Sequence, residues 1–264
     1  MGAFSLITDS ERRVPRVVVV GLASCFGCQL QITNAEPYLM QILGQIDLQY
    51  WQLVTSEDMP DSYDVAIIEG AVTTRESEET VRAVRSKAAH VMAIGACAIT
   101  AGVTGMAAPG LDGRVSEVYG DTSPDASGEL ITPRPVSAVI DVDSEVRCCP
   151  IDPLDFVAAL QRALFGSNRL PETRTMCSDC KRNETECFLQ DGVLCLGLVT
   201  RAGCGARCVN LGRPCNGCAG LSPDANLEAA RAACETYGVS VSDFDKALEM
   251  FNQVNPVLAE GGDE

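Results

Sequence analysis

Short apolar runs alternate along this chain with stretches of helical periodicity. Arg16–Leu22, Asp64–Glu69, His90–Gly95 and Ser137–Val142 read as strands, being β-branched or otherwise apolar. Between them, Thr33–Ile46 places apolar residues at helical spacing. Ser77–Ala88 is charged with Val81 and Val84 facing inward, and Asp152–Phe165 opens on Asp-Pro and stops at Gly166. The alternation predicts an α/β fold with a doubly wound parallel sheet. Gly102–Pro135, rich in Gly, Pro, Ser and Asp, reads as a long surface excursion rather than another strand–helix unit. Past about Leu170 the periodicity fades and cysteines crowd the chain. Two helices, Asp224–Tyr237 and Val241–Val254, follow before a Gly-Gly-Asp-Glu end expected to fray. This divides the chain into residues 1–168, the α/β part, and residues 169–264, a small cysteine-rich part.

With 264 residues, 46% of them hydrophobic, the chain can bury a sizeable core. A formal charge of −16 opposes nucleic acid, whose phosphates need clustered Lys and Arg, and opposes anionic membranes in the same way. No apolar run approaches the ~20 residues of a membrane span, so no direct membrane insertion is expected. Arg12-Arg13 before an apolar run resembles an export signal. That run is short, however, and leads into Cys25-x-x-Cys28 rather than a small-residue cleavage site. The expected location is the cytoplasm, where 14 cysteines mean metal or redox work more often than disulfides.

In open α/β sheets ligands bind beyond the carboxyl ends of the strands. Cys25 and Cys28 follow the first strand, Cys97 follows the strand ending at Gly95, and Cys148-Cys149 lies just past Val142. Four thiolates suit a [4Fe-4S] cluster, and Gly27 lets the backbone between two of them come close. Pro150 favours Cys149 over Cys148 as the fourth ligand, since a Cys-Pro step turns a chain around a cluster. The competing reading, a thioredoxin-like Cys25/Cys28 redox pair, expects the second cysteine inside a helix and no further cysteines at strand ends. Glu69, ending its strand, is expected to face the same crevice, as a hydrogen-bond acceptor for nearby amides or as a carboxylate that tunes a cluster or relays protons. His90, the only histidine, is expected at a strand start and not as a ligand.

Eight cysteines fall between Cys177 and Cys218. The simplest partition is in order: Cys177, Cys180, Cys187 and Cys195, then Cys204, Cys208, Cys215 and Cys218. Interleaved ligation is the alternative. Zinc prefers two Cys-x2–4-Cys knuckles per site, whereas each set here has one clear knuckle, so irregular iron–sulfur ligation fits better. Such a cysteine-dense segment depends on its metal for structure. Cys148 and Cys234 are left over, the latter a small core residue of a helix.

Ser24-Cys25-Phe26-Gly27-Cys28-Gln29-Leu30, Ile68-Glu69-Gly70, Ile94-Gly95-Ala96-Cys97-Ala98 and Cys149-Pro150 resemble the flavodoxin-like half of nickel–iron hydrogenase small subunits. The tail motifs Cys195-Leu196-Gly197, Thr200-Arg201-Ala202-Gly203-Cys204-Gly205-Ala206 and Gly212-Arg213-Pro214-Cys215-Asn216-Gly217-Cys218 resemble the cytoplasmic group 3 members, which include sulfhydrogenase delta and NAD(P)- or F420-linked small subunits. The resemblance implies three [4Fe-4S] clusters in a row. The first would face a nickel–iron centre on a separate large subunit, with flavin-containing, diaphorase-type subunits beyond the last. Membrane-bound relatives commonly use a histidine on the last cluster; here Cys177 stands in that position. Two other readings remain: a quinone-reductase subunit of the complex I type, sharing only the first half, and a zinc-stabilised interaction protein.

Overall fold

A computed structural model describes residues 13–35, 38–120, 128–166, 172–255 and 258. Seven strands occur among them: β1 (Arg16–Gly21), β2 (Asp47–Trp51), β3 (Tyr63–Glu69), β4 (Val72–Thr74), β5 (Ala88–Ile94), β6 (Leu130–Arg134) and β7 (Ser144–Val146). The helices in the α/β part are α1 (Gly27–Thr33), α2 (Tyr38–Leu43), α3 (Arg75–Lys87), α4 (Gly95–Thr100), α5 (Gly102–Gly105), α6 (Leu111–Tyr119) and α7 (Pro153–Phe165). Then come α8 (Cys177–Asn183), α9 (Arg207–Asn210), α10 (Leu227–Thr236) and α11 (Val241–Asn252).

The main sheet runs β2-β1-β3-β5-β7, every neighbouring pair parallel. Its three inner strands β1, β3 and β5 are largely apolar because helices cover both faces. Side chains alternate between those faces. Val17, Val19, Val65, Ile67, Met92 and Ile94 pack with Phe156 and Leu160 of α7. Val18, Val20, Ala66, Ile68, Val91 and Ala93 pack with Val81 and Val84 of α3. The predicted inward pair on α3 is therefore fully buried. Thr74 caps α3 in a reciprocal box with Ser77, and Asp152 caps α7 by accepting from the N–H groups of Leu154 and Asp155, contacts worth about 1 kcal/mol each.

Four sequence expectations shift. The helix expected over Thr33–Ile46 starts earlier, at Gly27, and stops at Thr33, with α2 following as a separate turn. Cys28 consequently sits in the first turn of α1, where a thioredoxin-like pair would also have its second cysteine; the further strand-end cysteines are what weigh against that reading. Ser137–Val142 is not a strand. Val136–Ala138 forms a 3-10 turn, and the ladder with β5 is made by Ser144–Val146. The carbonyls of Val139 and Asp141 are taken by the Arg82 and Arg85 guanidiniums at 3.4 and 3.2 Å instead of by a strand. Third, β2 is an edge strand with no strong apolar run. Finally, the excursion contains α5, α6 and β6, the last pairing antiparallel with β4. Arg12 and the Gly-Gly-Asp-Glu end lie outside the described residues.

The later part has a core of its own. Leu189, Leu196 and Val199 pack against Ala230, Cys234, Phe244 and Leu248 of α10 and α11, so Cys234 is the core residue its helix predicted. Met176, Ala206, Val209 and Cys215 form a smaller cluster beside it. No helix among the described residues is long and apolar enough to cross a membrane.

Candidate functional site

The strand order reverses between β1 and β3, because β2 pairs on one side of β1 and β3 on the other. Such a switch point opens a crevice at the carboxyl ends of the strands. The loop after β1 brings Cys25, α1 brings Cys28, the β5–α4 junction brings Cys97, and the turn after β7 brings Cys148 and Cys149. All cysteines described are free thiols.

Burial pushes the Cys28 thiol up to about 12, with Glu69, Cys149 and Cys97 adding like charge. Burial likewise pushes Cys97 up to about 11, beside Cys149 and Cys25. Cys149 is also raised by burial, and it faces Cys218 as well as Cys25 and Glu69. The four predicted sulfurs are thus gathered where isolated thiolates are costly, a donor set matched to a cationic iron–sulfur core that offsets their charge. The space for them is built in. A Cβ on Gly95, at φ +81, would stand 2.4 Å from the Cys28 sulfur, so only glycine fits there.

Glu69 ends β3 and is almost completely buried. Its carboxylate accepts the Cys28 backbone N–H at 3.0 Å and the Gln29 side-chain amide at 2.8 Å. The Trp51 indole N–H in turn donates to the Gln29 carbonyl oxygen at 2.6 Å. Gln29 and Trp51 were not legible as site residues; the only signal was Gln29 adjoining Cys28. His90 lies on β5 and shares a hydrogen bond of 2.7 Å with the Ser144 hydroxyl, away from the thiols.

In the tail, Cys177 and Cys180 sit one turn apart on α8. Cys177 is pushed up to about 11 by burial, with Cys195, Cys180 and Cys187 as its charged neighbours; Cys180 has Cys195 and Cys187. The first in-order set is therefore brought together. A Cβ on Gly197 would stand 2.6 Å from the end of the Met176 side chain, with the Cys195 and Cys177 sulfurs at ordinary contact distance of 3.6 and 3.8 Å. Asp179, buried between these two cysteines, accepts from the N–H groups of Gly203 and Gly205 at 3.0 and 3.2 Å and so shapes the loop carrying Cys204. Sequence reasoning missed it, although an acid inside Cys-Ser-Asp-Cys was a signal.

Of the second set, Cys208 faces Cys218 and Cys204. Cys215 lies between the two sets: its backbone N–H donates to the Cys195 sulfur at 3.3 Å, and burial pushes its thiol up to about 12. Cys148 turns away from the strand-end group. A hydrogen bond from Cys148 brings Cys204 down to about 6 and Cys218 down to about 7, while Cys148 itself is raised. Among the described residues no three His, Cys, Asp or Glu side chains close on the point a single ion would occupy.

Residues 25–163, more than half of the chain, match the family described as NADH ubiquinone oxidoreductase, 20 Kd subunit. Sulfhydrogenase 2 subunit delta of Pyrococcus furiosus is 31% identical over 210 residues, spanning 79% of this chain and 87% of that one. A subunit of the F420-non-reducing vhu hydrogenase of Methanocaldococcus jannaschii is 27% identical, with 90% of this chain and 92% of that one covered. A crystal structure of an NAD+-reducing nickel–iron hydrogenase in the H2-reduced state contains a chain that superposes with a TM-score of 0.55. That chain is 23% identical, and the match covers 60% of this chain and 96% of that one; at that identity the likeness shows the fold. Matching the 20 Kd family across the α/β half and sulfhydrogenase delta across most of its length, the chain belongs to the NADH ubiquinone oxidoreductase 20 Kd subunit family, on its branch of group 3 nickel–iron hydrogenase small subunits.

Proposed function

We propose that this chain is the electron-transfer small subunit of a cytoplasmic nickel–iron hydrogenase. On this reading it relays electrons between the nickel–iron centre of a separate large subunit and a flavin-containing, diaphorase-type partner. Residues 1–168 hold one [4Fe-4S] cluster through Cys25, Cys28, Cys97 and Cys149. Residues 169–264 hold two more, through Cys177, Cys180, Cys187 and Cys195 and through Cys204, Cys208, Cys215 and Cys218. When bound, such clusters supply reversible one-electron oxidation and reduction with little rearrangement.

The observation that carries the reading is the convergence of four cysteines, from the segments that follow β1, β5 and β7, on the carboxyl edge of the sheet, next to a buried carboxylate that fixes one of them. Around that point the chain's own residues position and shield. Glu69 and Gln29 hold the first turn of α1 in place. Cys25 and Cys149 stand exposed, and Leu30 on α1 keeps 56% of its surface open, as a face meant for a large partner subunit would. The complex I-type reading accounts for residues 25–163 alone; the relatives that continue through the tail are hydrogenase subunits.

The test is a pair of variants in the assembled complex, with assembly checked by size-exclusion chromatography. Cys28→Ala should abolish H2-driven reduction of the natural acceptor. Cys180→Ala should leave the strand-end cluster's signal intact and interrupt transfer later. A fully assembled Cys28→Ala complex lacking its first cluster, yet reducing its acceptor at the normal rate, would sink the reading.

A further inference from the structure

Trp51, the chain's only tryptophan, closes the edge strand β2 and is 5% exposed. Its backbone is fixed on both sides. In the ladder with β1 it lies opposite Val19. Its N–H donates to the Thr55 hydroxyl at 3.0 Å, and its carbonyl accepts the Val54 and Thr55 N–H groups at 2.8 Å each. The indole N–H then donates to Gln29, a side chain with no exposed surface.

Donor and acceptor roles leave this series of contacts one arrangement. An indole N–H can only donate, so Gln29 must turn its carbonyl oxygen to Trp51 and its NH2 group to Glu69. Those contacts measure 2.6 and 2.8 Å. Glu69, buried as deeply, accepts the amide on Oε2 and the Cys28 backbone N–H on Oε1 at 3.0 Å. The carboxylate is thereby held at two points, and the Cys28 N–H is directed at oxygen instead of sulfur. Space for the series is built in: a Cβ on Gly21, at the end of β1, would stand 2.6 Å from the Phe26 ring and 2.9 Å from the Gln29 amide nitrogen. Each buried member costs desolvation unless it is paired, and here every one of these groups has its partner.

We propose that Trp51 and Gln29 are positioning residues for the strand-end cluster: by fixing the Glu69 carboxylate on the Cys28 N–H they keep that donor from the cluster's sulfurs and so hold the cluster's reduction potential down. The inference rests on the cluster reading above. Reduction adds negative charge that spreads onto sulfur, and an N–H directed at that sulfur stabilises the reduced form. A donor withheld has the opposite effect.

The experiment uses the complete complex, purified without oxygen, with Trp51→Phe, Gln29→Met and the double variant beside the unsubstituted protein. Trp51→Phe keeps an aromatic ring and removes the N–H; Gln29→Met keeps the reach of the side chain and removes the amide. Iron per chain is measured, each cluster is titrated by EPR-monitored redox potentiometry, and the reduced strand-end cluster is examined by HYSCORE for coupling to peptide nitrogen. The expected result is unchanged iron, a raised strand-end potential with stronger peptide-nitrogen coupling in each single variant, and unmoved tail potentials. The double variant should shift no further than Gln29→Met alone, because both residues act through one series of contacts. Unmoved strand-end potentials in the iron-replete single variants would overturn the inference while leaving the cluster reading standing, and so would a raised potential without the stronger nitrogen coupling. Loss of strand-end iron in both single variants would also overturn it, by making the series a scaffold for cluster insertion. A strand-end site without iron in the unsubstituted protein would overturn the cluster reading and this inference with it.

Discussion

The Glu69 carboxylate accepts the backbone N–H of Cys28 at 3.0 Å, so the last residue of β3 sets the first turn of α1. The same carboxylate holds the Gln29 amide, and Gln29 holds the Trp51 indole at the end of β2. The two strands that flank β1 at the switch point are thereby tied to the helix that carries Cys28.

Glu69→Ala leaves the Cys28 N–H and the Gln29 amide buried without an acceptor, at about 1–3 kcal/mol for each unsatisfied group. Thermal unfolding should show a clear loss of stability, and the strand-end cluster's EPR signal should broaden or weaken while the tail signals persist. An unchanged melting temperature together with an unchanged signal would show that the network does not hold the loop.

His90 gives a pH signature. Burial holds it below its ordinary 6.5; Asp143 opposes that and Arg85 reinforces it. A base with a depressed folded value binds its proton first in the unfolded chain, so its contribution is present above the unfolded value and lost as pH falls. Stability should therefore decline between about pH 7.5 and 5.5 partly through this residue. In His90→Gln that part of the slope should vanish in denaturant titrations at the two pH values; an identical slope would contradict the assignment.

Much of this was readable in advance. Val17–Val20, Val81 with Val84, and the Asp152–Gly166 helix carry their burial and caps locally, and strand-end positions for Cys25, Cys97 and Glu69 follow once the strands are placed. What was not readable depends on distant partners. The strand Ser144–Val146 is short and polar and exists because β5 offers it a ladder. Glu69 meets Gln29 across the sheet edge, and Asp179 meets the 203–205 loop, through contacts no local pattern announces. Cys148 has a left-handed backbone, at φ +96, that the Cys-Cys-Pro sequence alone does not specify.

The tail's dependence on metal is open to proteolysis. Its larger apolar core is made with α10 and α11, and the cysteine segment by itself holds only the small cluster of Met176, Ala206, Val209 and Cys215. Iron-free protein should be cut by trypsin after Arg174, Lys181 or Arg207 well before the α/β half, and iron should protect these sites. Phe244→Ala, removing a fully buried ring at about 3–5 kcal/mol, should speed that cleavage further. A tail equally resistant with and without metal would show that the helices suffice.

The most direct measurement is the metal content of the anaerobically purified chain in its complex, paired with Mössbauer spectroscopy. Three [4Fe-4S] clusters predict about twelve irons per chain, all in four-iron clusters, with zinc below stoichiometric levels. About four to eight irons with stoichiometric zinc would contradict the account, because at least one of the three cysteine sets would then hold a structural ion instead of a redox centre.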